Sequence, residues 1–273
     1  MNPRVVSLGQ RPAAVEPAEL CAVSGVTKQY RTRAGATVTA LDDISVAIRE
    51  GEFVTVVGPS GCGKSTLLKL LSGIIQPSVG EARFRGKPML RPSREIGMVF
   101  QQPILLPWRS VLDNVLLPIE MLGWSVTQYR PEAERLIRLV GLAGFEKATP
   151  RELSGGMQQR VSICRALISD PALLLMDEPF GALDAMTREE MCIELLRIWS
   201  ERRKTVAFVT HSIAESIFLA DRVIVMAARP GRVTMDLKIN LPRPRTLDME
   251  FTPEFKAYAD QVRAAISAPR SAK

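Results

Sequence analysis

The chain has 273 residues, a formal net charge of +7 and a hydrophobic fraction of 46%, a length that suits one principal domain with short appendages. No apolar run approaches the roughly 20 residues that a membrane-spanning helix needs, and the first residues carry prolines and charges where a secretory signal would be apolar. Four widely spaced cysteines and a single histidine argue against a disulfide framework and a zinc site. We therefore expect a globular protein that remains in the cytoplasm.

The basic charge by itself allows three interpretations: binding to nucleic acid, binding to an anionic membrane surface, or solubility alone. Lysines and arginines are scattered along the chain, and aromatic residues make up only 5% of it. The alternation of basic and stacking side chains that single-strand nucleic-acid binders use is therefore missing. We do not expect nucleic acid as a partner.

The first elements in chain order predict a β-rich lobe followed by a parallel core. Residues 1–19 are expected to form a flexible tail, and residues 20–30 and 44–48 alternate apolar and polar side chains as half-buried antiparallel strands do. Residues 53–57 form a β-branched run that enters a glycine-rich turn and then a helix over 64–72, as in a parallel α/β core. The apolar runs 173–176, 206–209 and 223–226 are short enough to be further buried strands.

Helical spacing of apolar residues appears between these strands, over 111–121, 127–140 and 154–168, with breaks at Gly123, Gly141 and Gly144. This pattern predicts a helical insert over about residues 102–170. Beyond Arg229 the chain becomes rich in proline and arginine, and a weakly amphipathic segment begins at Pro253. We therefore predict a principal domain over 20–228 and a short C-terminal extension over 229–273.

A phosphate-binding loop follows the first core strand and fits the pattern GxxxxGK[ST]. It comprises Gly58, Pro59, Ser60, Gly61, Cys62, Gly63, Lys64, Ser65 and Thr66. Its glycines allow backbone N–H groups to surround a β-phosphate at a helix N-terminus. Lys64 is expected to reach the β- and γ-phosphates, and the Ser65 hydroxyl to bind Mg²⁺. A plain glycine-rich turn would explain neither the Lys-Ser pair nor its position.

Two adjacent carboxylates, Asp177 and Glu178, end the apolar run 173–176. Consecutive strand residues point to opposite sides, so the two acids need not share a task. We expect Asp177 to hold Mg²⁺ through water and Glu178 to polarise the attacking water. A solvated turn after a strand would be a reasonable alternative for this segment in isolation, but not beside a phosphate loop.

A second anion site is predicted where Ser154, Gly155 and Gly156 begin a helix, because the serine hydroxyl and the exposed N–H groups face the same way. The chain already has one phosphate site. A second one is useful if it serves the nucleotide of a partner molecule. The simpler alternative is a well-capped helix.

In their order and spacing these motifs resemble the ATP-binding cassette (ABC) family over about residues 21–226. The resemblance implies the ABC ATPase fold, an α/β fold with a RecA-like core, an antiparallel β-subdomain and an inserted helical subdomain. It implies an ATPase that uses ATP and Mg²⁺.

The resemblance also assigns further site residues. Tyr30 is similar to the aromatic residue that stacks on adenine. Gln101, with Gln102 as its competitor, resembles the Q-loop glutamine, which senses the nucleotide and binds the metal. Ser154, Gly155, Gly156 and Gln158 resemble the signature, with Met157 inserted before Gln158. Asp184 resembles the D-loop aspartate and His211 the switch histidine, so the resemblance assigns catalysis to Glu178, His211, Gln101 and Lys64.

The partners that the resemblance implies are a second copy of the chain, with ATP held between the two, and integral membrane permease subunits. A substrate-binding protein would act indirectly, and the subunit would lie peripherally on the cytoplasmic face of the inner membrane. The strings 105–109, 177–184 and 228–232 are similar to those of bacterial importers of nitrate, sulfonates and taurine. Trp108 is expected at a partner surface, with burial in the core as the alternative.

Three other classes of ATP-binding protein fit these residues less well. A DNA-repair or chromosome-maintenance ATPase shares the phosphate loop and signature but needs a long coiled coil between them, and residues 65–153 have no sustained heptads. A tandem-cassette translation factor would have two phosphate loops, and a small-molecule kinase would leave the signature unexplained. Importers of polyamines or osmolytes usually carry a longer C-terminal regulatory domain than residues 229–273 can form.

Overall fold

The structure is a computed structural model that describes residues 18–32, 35–202 and 204–267. Its strands form two sheets. The first is antiparallel, with the order β2-β1-β4-β5, and comprises β1 (Glu19–Arg31), β2 (Thr37–Arg49), β4 (Val79–Phe84) and β5 (Lys87–Pro88). The second has the order β10-β9-β3-β8-β7-β6 and comprises β3 (Phe53–Val57), β6 (Ile96–Val99), β7 (Leu173–Asp177), β8 (Thr205–Thr210), β9 (Arg222–Ala227) and β10 (Arg232–Lys238).

Five strands of the second sheet run parallel, and only β10 pairs antiparallel, with β9. The helices are α1 (Lys64–Leu71), α2 (Val111–Met121), α3 (Val126–Leu139), α4 (Gly155–Leu167), α5 (Ala185–Arg202), α6 (Ile213–Leu219) and α7 (Pro253–Ser267). Short 3₁₀ helices cover Pro150–Glu152 and Leu247–Phe251. No helix in the described part of the chain is long and apolar enough to cross a membrane.

The parallel strands place side chains alternately in two hydrophobic cores, as their period of two requires. Val54 and Val56 of β3 join the core that holds α1 and the antiparallel sheet, whereas Phe53 and Val57 face the other helices. In α1 the leucines 67, 68, 70 and 71 are all buried. This helix is therefore enclosed between the two sheets, with its N-terminus at the edge where the parallel strands end.

Helices α2, α3 and α4 pack on one another. Their buried side chains belong to the same hydrophobic core as Phe53 and Val57. Buried Asn114 of α2 fixes the preceding loop, because its amide donates to the carbonyl oxygens of Leu106, Arg109 and Ser110 and its oxygen accepts from the Leu106 N–H. Trp108, in the same loop, has 75% of its surface exposed. It is therefore not a core residue.

The C-terminal segment closes over the end of α6. The Arg245 guanidinium donates to the carbonyl oxygens of Ile217 and Phe218, at 2.8 Å each, and Arg243 pairs with Asp221 at 2.8 Å. Burial lowers the pKa of Arg245 to about 10. Cations at a helix C-terminus compensate its unpaired carbonyl groups, so these arginines fix where α6 ends.

The α/β fold class predicted from the sequence is confirmed, with its antiparallel sheet and its added helices. Each predicted strand and helix overlaps an observed one, but α5, α6, β4, β5, β6 and β10 were not predicted. The predicted flexible tail, 1–19, lies outside the described residues up to residue 17, and β1 begins at Glu19. The predicted domain limits remain predictions; β10, beyond the expected limit at 228, pairs with β9 of the core sheet.

Candidate functional site

The loop that joins β3 to α1 is the first element of the site. Gly63 caps α1 with a φ of 93°, in the left-handed region that glycine adopts without strain, and no side chain caps the helix. The first N–H groups of α1 are therefore available to an anion. A cavity of about 300 Å³ lies beside them, and its lining residues are Ala40, Ser60, Gly61, Gly63, Lys64, Ser65, Thr66 and Glu178.

Lys64 is 95% buried although it carries a charge, with 5% of its surface exposed. Its Nζ donates to the carbonyl oxygens of Gly58 at 2.9 Å and Pro59 at 3.3 Å. The same atom lies 3.5 Å from Glu178 Oε1. A buried ammonium needs such partners to offset its desolvation, and one of them, Glu178, lines the cavity together with Lys64 itself.

Ser65 and Asp177 meet at the end of β7, where the serine hydroxyl donates to Asp177 Oδ1 at 2.9 Å. Burial raises the pKa of the Asp177 carboxyl, and the hydrogen bond from Ser65 opposes that rise. A hydroxyl and a carboxylate are the oxygen ligands that Mg²⁺ accepts, usually together with water and phosphate oxygens. The pair therefore fits the metal that the sequence predicts.

Glu178 contacts different partners from its neighbour Asp177. Its Oε2 lies 3.3 Å from His211 Nδ1, and its Oε1 faces Lys64. The Glu178 backbone has a φ of 45° and its N–H donates to the Val209 carbonyl oxygen at 3.0 Å. A left-handed conformation is uncommon for a residue with a side chain, so β7 and β8 together hold this carboxylate at the cavity.

A larger cavity of about 600 Å³ adjoins the phosphate loop at Gly61. Its lining residues are Thr27, Gln29, Val38, Thr39, Ala40, Asp42, Gly61, Arg229 and Pro230. Tyr30, the predicted adenine platform, is 41% exposed and pairs across the strands with Val38 of this lining. Lys28 Nζ lies 5.3 Å from the centre of its ring. The structure thus places Tyr30 beside this cavity, without making it a lining residue.

Gln101 follows β6 and is exposed, as is Gln102. A Cβ atom built on Gly181 would lie 3.3 Å from Gln101 Nε2. Gly181 is three residues beyond Glu178, and its N–H donates to the Glu178 carbonyl oxygen. Gln101 therefore lies next to the turn that carries Glu178.

The signature residues lie apart from the phosphate-loop cavity, because none of them lines it. Ser154 caps α4: its Oγ accepts from the Met157 N–H at 3.3 Å, and both Ser154 and Gly155 are exposed. Gly156 is buried, and a Cβ there would lie 2.8 Å from the Thr187 methyl group. Gln158 donates to the carbonyl oxygens of Pro150 and Leu153, so it holds its own loop.

Asp184 caps the start of α5 and is exposed. Its carboxylate accepts from the Thr187 N–H at 3.0 Å and from the Thr187 hydroxyl at 2.7 Å. These hydrogen bonds lower the pKa of Asp184, with the backbone bond as the larger cause. The structure places this residue on the surface next to Gly156, through their common neighbour Thr187.

The segment that follows β9 supports the phosphate loop. The sequence patterns did not predict this contact. Gly231 donates to the Ala40 carbonyl oxygen at 3.0 Å and accepts from the Asp42 N–H at 2.9 Å. A Cβ on Gly231 would lie 2.2 Å from the Cys62 carbonyl oxygen, and Arg232 pairs with Asp42. In the sequence this segment is marked only by the string Ala-Arg-Pro-Gly-Arg at 228–232. That string is similar to those of bacterial importers, but it does not predict a contact with the phosphate loop.

Comparison with known proteins identifies a family. Residues 41–181 match the family model described as ABC transporter. An uncharacterized ABC transporter ATP-binding protein of Methanocaldococcus jannaschii is 50% identical over 223 residues, which are 82% of this chain and 83% of that protein. An aliphatic sulfonates import ATP-binding protein of Bacillus cereus is 42% identical, over 86% and 92% of the two chains. A taurine import ATP-binding protein of Rhizobium johnstonii is 45% identical, over 87% and 92%.

Solved structures agree with this family. A dimeric ATP-binding cassette in a post-hydrolysis state, bound to ADP and Pi, superposes with a TM-score of 0.72 and 33% identity, over 82% of this chain and all of that one. A cbiO1 protein of Clostridium perfringens, part of a cbiONQ transporter complex, superposes with a TM-score of 0.73 and 26% identity, over 92% and 96%. The glycine loop, the carboxylates beyond β7 and the family match lead to one conclusion: this chain belongs to the ABC transporter family and is an ATPase of the ATP-binding cassette type.

Proposed function

We propose that the chain binds ATP with Mg²⁺ at residues 58–66, hydrolyses it in a head-to-tail dimer with a second copy, and thereby drives import through a membrane permease. One observation carries the proposal. Lys64, the Ser65–Asp177 pair and the Glu178–His211 pair converge at the edge of the sheet where the parallel strands end. In open α/β sheets this edge is where ligands bind.

Lys64 is the cation that receives the phosphates. An ammonium has three donors, and those of Lys64 are shared between two carbonyl groups and Glu178. The oxygens of a polyphosphate compete for the same donors with a larger charge. Binding of ATP therefore draws Lys64 away from Glu178 and frees that carboxylate for a water molecule.

Glu178 then acts as the general base. It takes a proton from the water whose oxygen attacks the γ-phosphorus, and ADP leaves with the electrons of the broken bond. A base in this position contributes about 10²- to 10⁴-fold in rate. With its proton on Nδ1, His211 would donate to Glu178 Oε2, 3.3 Å away, and keep the carboxylate aimed at that water.

Mg²⁺, when bound, neutralises charge on the β- and γ-phosphates, and Ser65, Asp177 and Gln101 are the residues that would hold it. In this structure the Ser65 hydroxyl donates to Asp177. That hydrogen bond keeps the two oxygens adjacent before the ligand arrives. Tyr30 and the neighbouring cavity at Val38 and Gly61 would accept the adenine and ribose.

The proposed dimer is supported by the exposure of the start of the signature helix. Ser154 and Gly155 begin α4 on the surface, where N–H groups and helix polarity attract an anion. In a head-to-tail dimer this helix start faces the γ-phosphate held by the partner's phosphate loop. Because ATP then bridges both copies, binding closes the dimer and hydrolysis releases it.

A permease contact is proposed at the apolar surface between β6 and α2. A groove of about 420 Å³ there is lined by residues that include Phe100, Ile104 and Leu117. Nearby Trp108 is 75% exposed and Met121 79% exposed. Exposed apolar side chains around a groove mark a protein contact. Through a permease bound at this groove, the subunit would lie peripherally on the cytoplasmic face of the inner membrane.

Import of a small solute that carries an anionic group is proposed from the relatives, whose names specify aliphatic sulfonates and taurine; nitrate is a third cargo that the resemblance suggests. A substrate-binding protein would deliver it. Transport assays in vesicles that contain the permease, with labelled taurine, alkanesulfonate and nitrate, distinguish these cargoes. A chromosome-maintenance role is not favoured, since the longest helix among the described residues has only 18 residues.

The dimer is tested with Glu178→Gln, which keeps the shape of the side chain but removes the base. This variant should bind ATP without consuming it and accumulate as a closed dimer in size-exclusion chromatography with light scattering. Addition of Ser154→Arg blocks the second anion site without touching the chain's own phosphate loop. The double variant should bind ATP as a monomer.

Thr127→Arg in the same Glu178→Gln background is the matched control. Thr127 is exposed in the first turn of α3, so it adds the same bulk and charge at another helix start. This control should still dimerise with ATP. If the Ser154→Arg double variant also dimerises, Ser154 is only a helix cap and the head-to-tail site is wrong.

A further inference from the structure

A closed circuit of polar contacts joins the turn that carries Glu178 to the His211 segment, and none of its members except Glu178 lines either cavity beside the phosphate loop. It begins at Glu178, follows the chain to Leu183, crosses to Arg188 and Glu215, and returns through Thr210 to His211. The last contact closes the circuit, because His211 Nδ1 lies 3.3 Å from Glu178 Oε2. Arg188 and Glu215 are the two charged members with no part in the proposed chemistry.

Glu215 holds both neighbours of His211. Thr210 precedes the histidine, is buried, and donates its hydroxyl hydrogen to Glu215 Oε2 at 2.5 Å. Ser212 follows the histidine, and its N–H donates to the Thr210 hydroxyl oxygen at 2.9 Å. The Ser212 hydroxyl in turn accepts from the Glu215 N–H at 3.3 Å. The backbone on each side of His211 is therefore fixed by one glutamate.

Arg188 holds the other segment. Its Nη2 donates to the Leu183 carbonyl oxygen at 3.0 Å, and its N–H donates to the Asp184 carbonyl oxygen. Its Nε lies 3.4 Å from Glu215 Oε1 and has no hydrogen-bond partner. The link between Arg188 and Glu215 is thus an ion pair rather than a hydrogen bond, and it joins α5 to α6.

The position of this ion pair is costly for a purely structural contact. Glu215 is 8% exposed, and burial raises the pKa of its carboxyl against the opposing effects of Thr210 and Arg188. A buried ion pair often contributes no more to stability than apolar side chains of the same volume. What it does provide is a defined geometry between two segments.

We propose that Arg188 and Glu215 are positioning residues, which hold the turn 178–184 and the His211 segment in the register that sets the Glu178–His211 contact. This inference rests on the proposed function, because it assumes that His211 orients Glu178. Misplacement of a catalytic group by about 1 Å can cost up to 10²-fold in rate. Loss of the pair should therefore slow turnover without weakening nucleotide binding.

The test uses the full chain with Glu215→Gln, which keeps volume and can still accept from Thr210 but removes the ion pair. We expect kcat for ATP to fall about tenfold or more while KM stays within about twofold. Arg188→Met should have the same effect. Arg188→Lys keeps the charge but not the bond to Leu183, so it should recover part of the lost kcat; no recovery would overturn the role of the ion pair.

Glu52→Gln is the matched control. Glu52 and Arg222 form a comparable ion pair at 3.1 Å, with side chains 13% and 16% exposed, at the opposite end of the parallel strands. Its loss should lower the melting temperature to a similar degree and leave kcat unchanged. If Glu215→Gln likewise lowers only the melting temperature, the pair is structural and the inference is wrong.

A double-mutant cycle with His211→Ala gives the sharper test. If Glu215 acts through His211, the double variant should be no slower than His211→Ala within about twofold, because there is no histidine left to position. Independent, multiplicative losses would overturn the inference alone. Full turnover in the single His211→Ala variant would instead remove the role of His211, and with it both the proposed mechanism and this inference.

Discussion

The phosphate loop and the signature segment both begin a helix with small residues, but they differ in how their polar groups are satisfied. At the phosphate loop, Lys64 is buried and contacts Gly58, Pro59 and Glu178 of the same chain. At the signature, Ser154 and Gly155 are exposed, and the Ser154 hydroxyl contacts only the next turn of its own helix among the described residues. One site is complete within the chain, and the other presents donors to solvent.

The same contrast extends to apolar side chains. Within the phosphate loop, residues 58–66, no large hydrophobic side chain is exposed, whereas the loop before α2 and the end of α2 expose Trp108 and Met121. Exposed aromatic and methionine side chains favour contacts with other proteins. The comparison supports the proposal that the core sheet holds the chemistry of the subunit and that the helical segment carries its contacts with partners.

The largest effect is expected from Lys64→Ala, which removes the cation of the complete site. Loss of one group that stabilises developing charge typically costs about 10²- to 10³-fold in kcat. Its lost hydrogen bonds should lower the free energy of unfolding by about 1–3 kcal/mol, which leaves the chain folded. ATPase rate and thermal melting are measured together, with exposed Lys87→Ala on β5 as the control. Near-normal turnover in a folded Lys64→Ala variant would mean that this loop does not bind the phosphates.

Trp108→Ala tests the contact side of the comparison. Because the side chain is 75% exposed, the free energy of unfolding should change by less than about 0.5 kcal/mol, and basal ATPase should be unchanged. Loss of an aromatic anchor at an interface costs about 2 kcal/mol, roughly 30-fold in affinity. Binding to the purified permease should weaken accordingly. Phe251→Ala, 89% exposed in the C-terminal segment, is the control and should bind normally; equal binding by both variants would contradict the contact.

Two glycine substitutions distinguish the phosphate loop from the signature segment, because the two glycines differ in how closely they are packed. Gly231→Ala places a Cβ 2.2 Å from the Cys62 carbonyl oxygen, and overpacking of this kind costs about 1–3 kcal/mol. The phosphate loop should shift, so KM for ATP should rise about tenfold. Gly155→Ala meets no atom within 4 Å and should leave nucleotide binding by the isolated chain unchanged. Equal KM values in the two variants would show that Gly231 does not support the loop.

The complete site was also the more predictable one, because its signals are local. Residues 58–66 follow a strand and begin a helix within nine positions, and the acids at 177 and 178 end an apolar strand. Such spacing specifies both the backbone and the chemistry. The order of the strands, with β3 between β8 and β9, brings these local signals to one edge.

Most of the features that were missed depend on distant contacts, and α5 is the exception. The strand β6 contains Gly97, whose Cα packs so closely that a Cβ would lie 2.6 Å from the Ala166 carbonyl oxygen; its four residues carry little pattern. Helix α5 buries Met191, Leu195 and Ile198, a spacing of four and three that could have predicted it. Arg188 and Glu215 lie on different helices, and no spacing rule indicates that they meet.

The smallest predicted effect compares one thiol from each site, Cys62 in the phosphate loop and Cys164 in the signature helix, both buried. Burial raises the pKa of each thiol above 9.0, and nearby Lys64 partly opposes the rise at Cys62. Between the unfolded and folded pKa values the unfolded chain binds fewer protons, so each thiol's contribution to stability is complete below about pH 9 and is lost as the pH rises. The loss is at most about 1.4 kcal/mol per pH unit for each thiol.

Urea unfolding at pH 8, 9, 10 and 10.5 should therefore show a smaller decline in the free energy of unfolding for Cys164→Ala than for the unaltered chain. Cys62→Ala should differ from the unaltered chain over a narrower pH range, because Lys64 keeps the folded pKa of Cys62 closer to 9. Since lysines and tyrosines titrate in the same range, the slopes of variant and parent are compared rather than the stabilities themselves. Identical slopes for all three chains would mean that neither thiol is as buried in solution as its packing indicates.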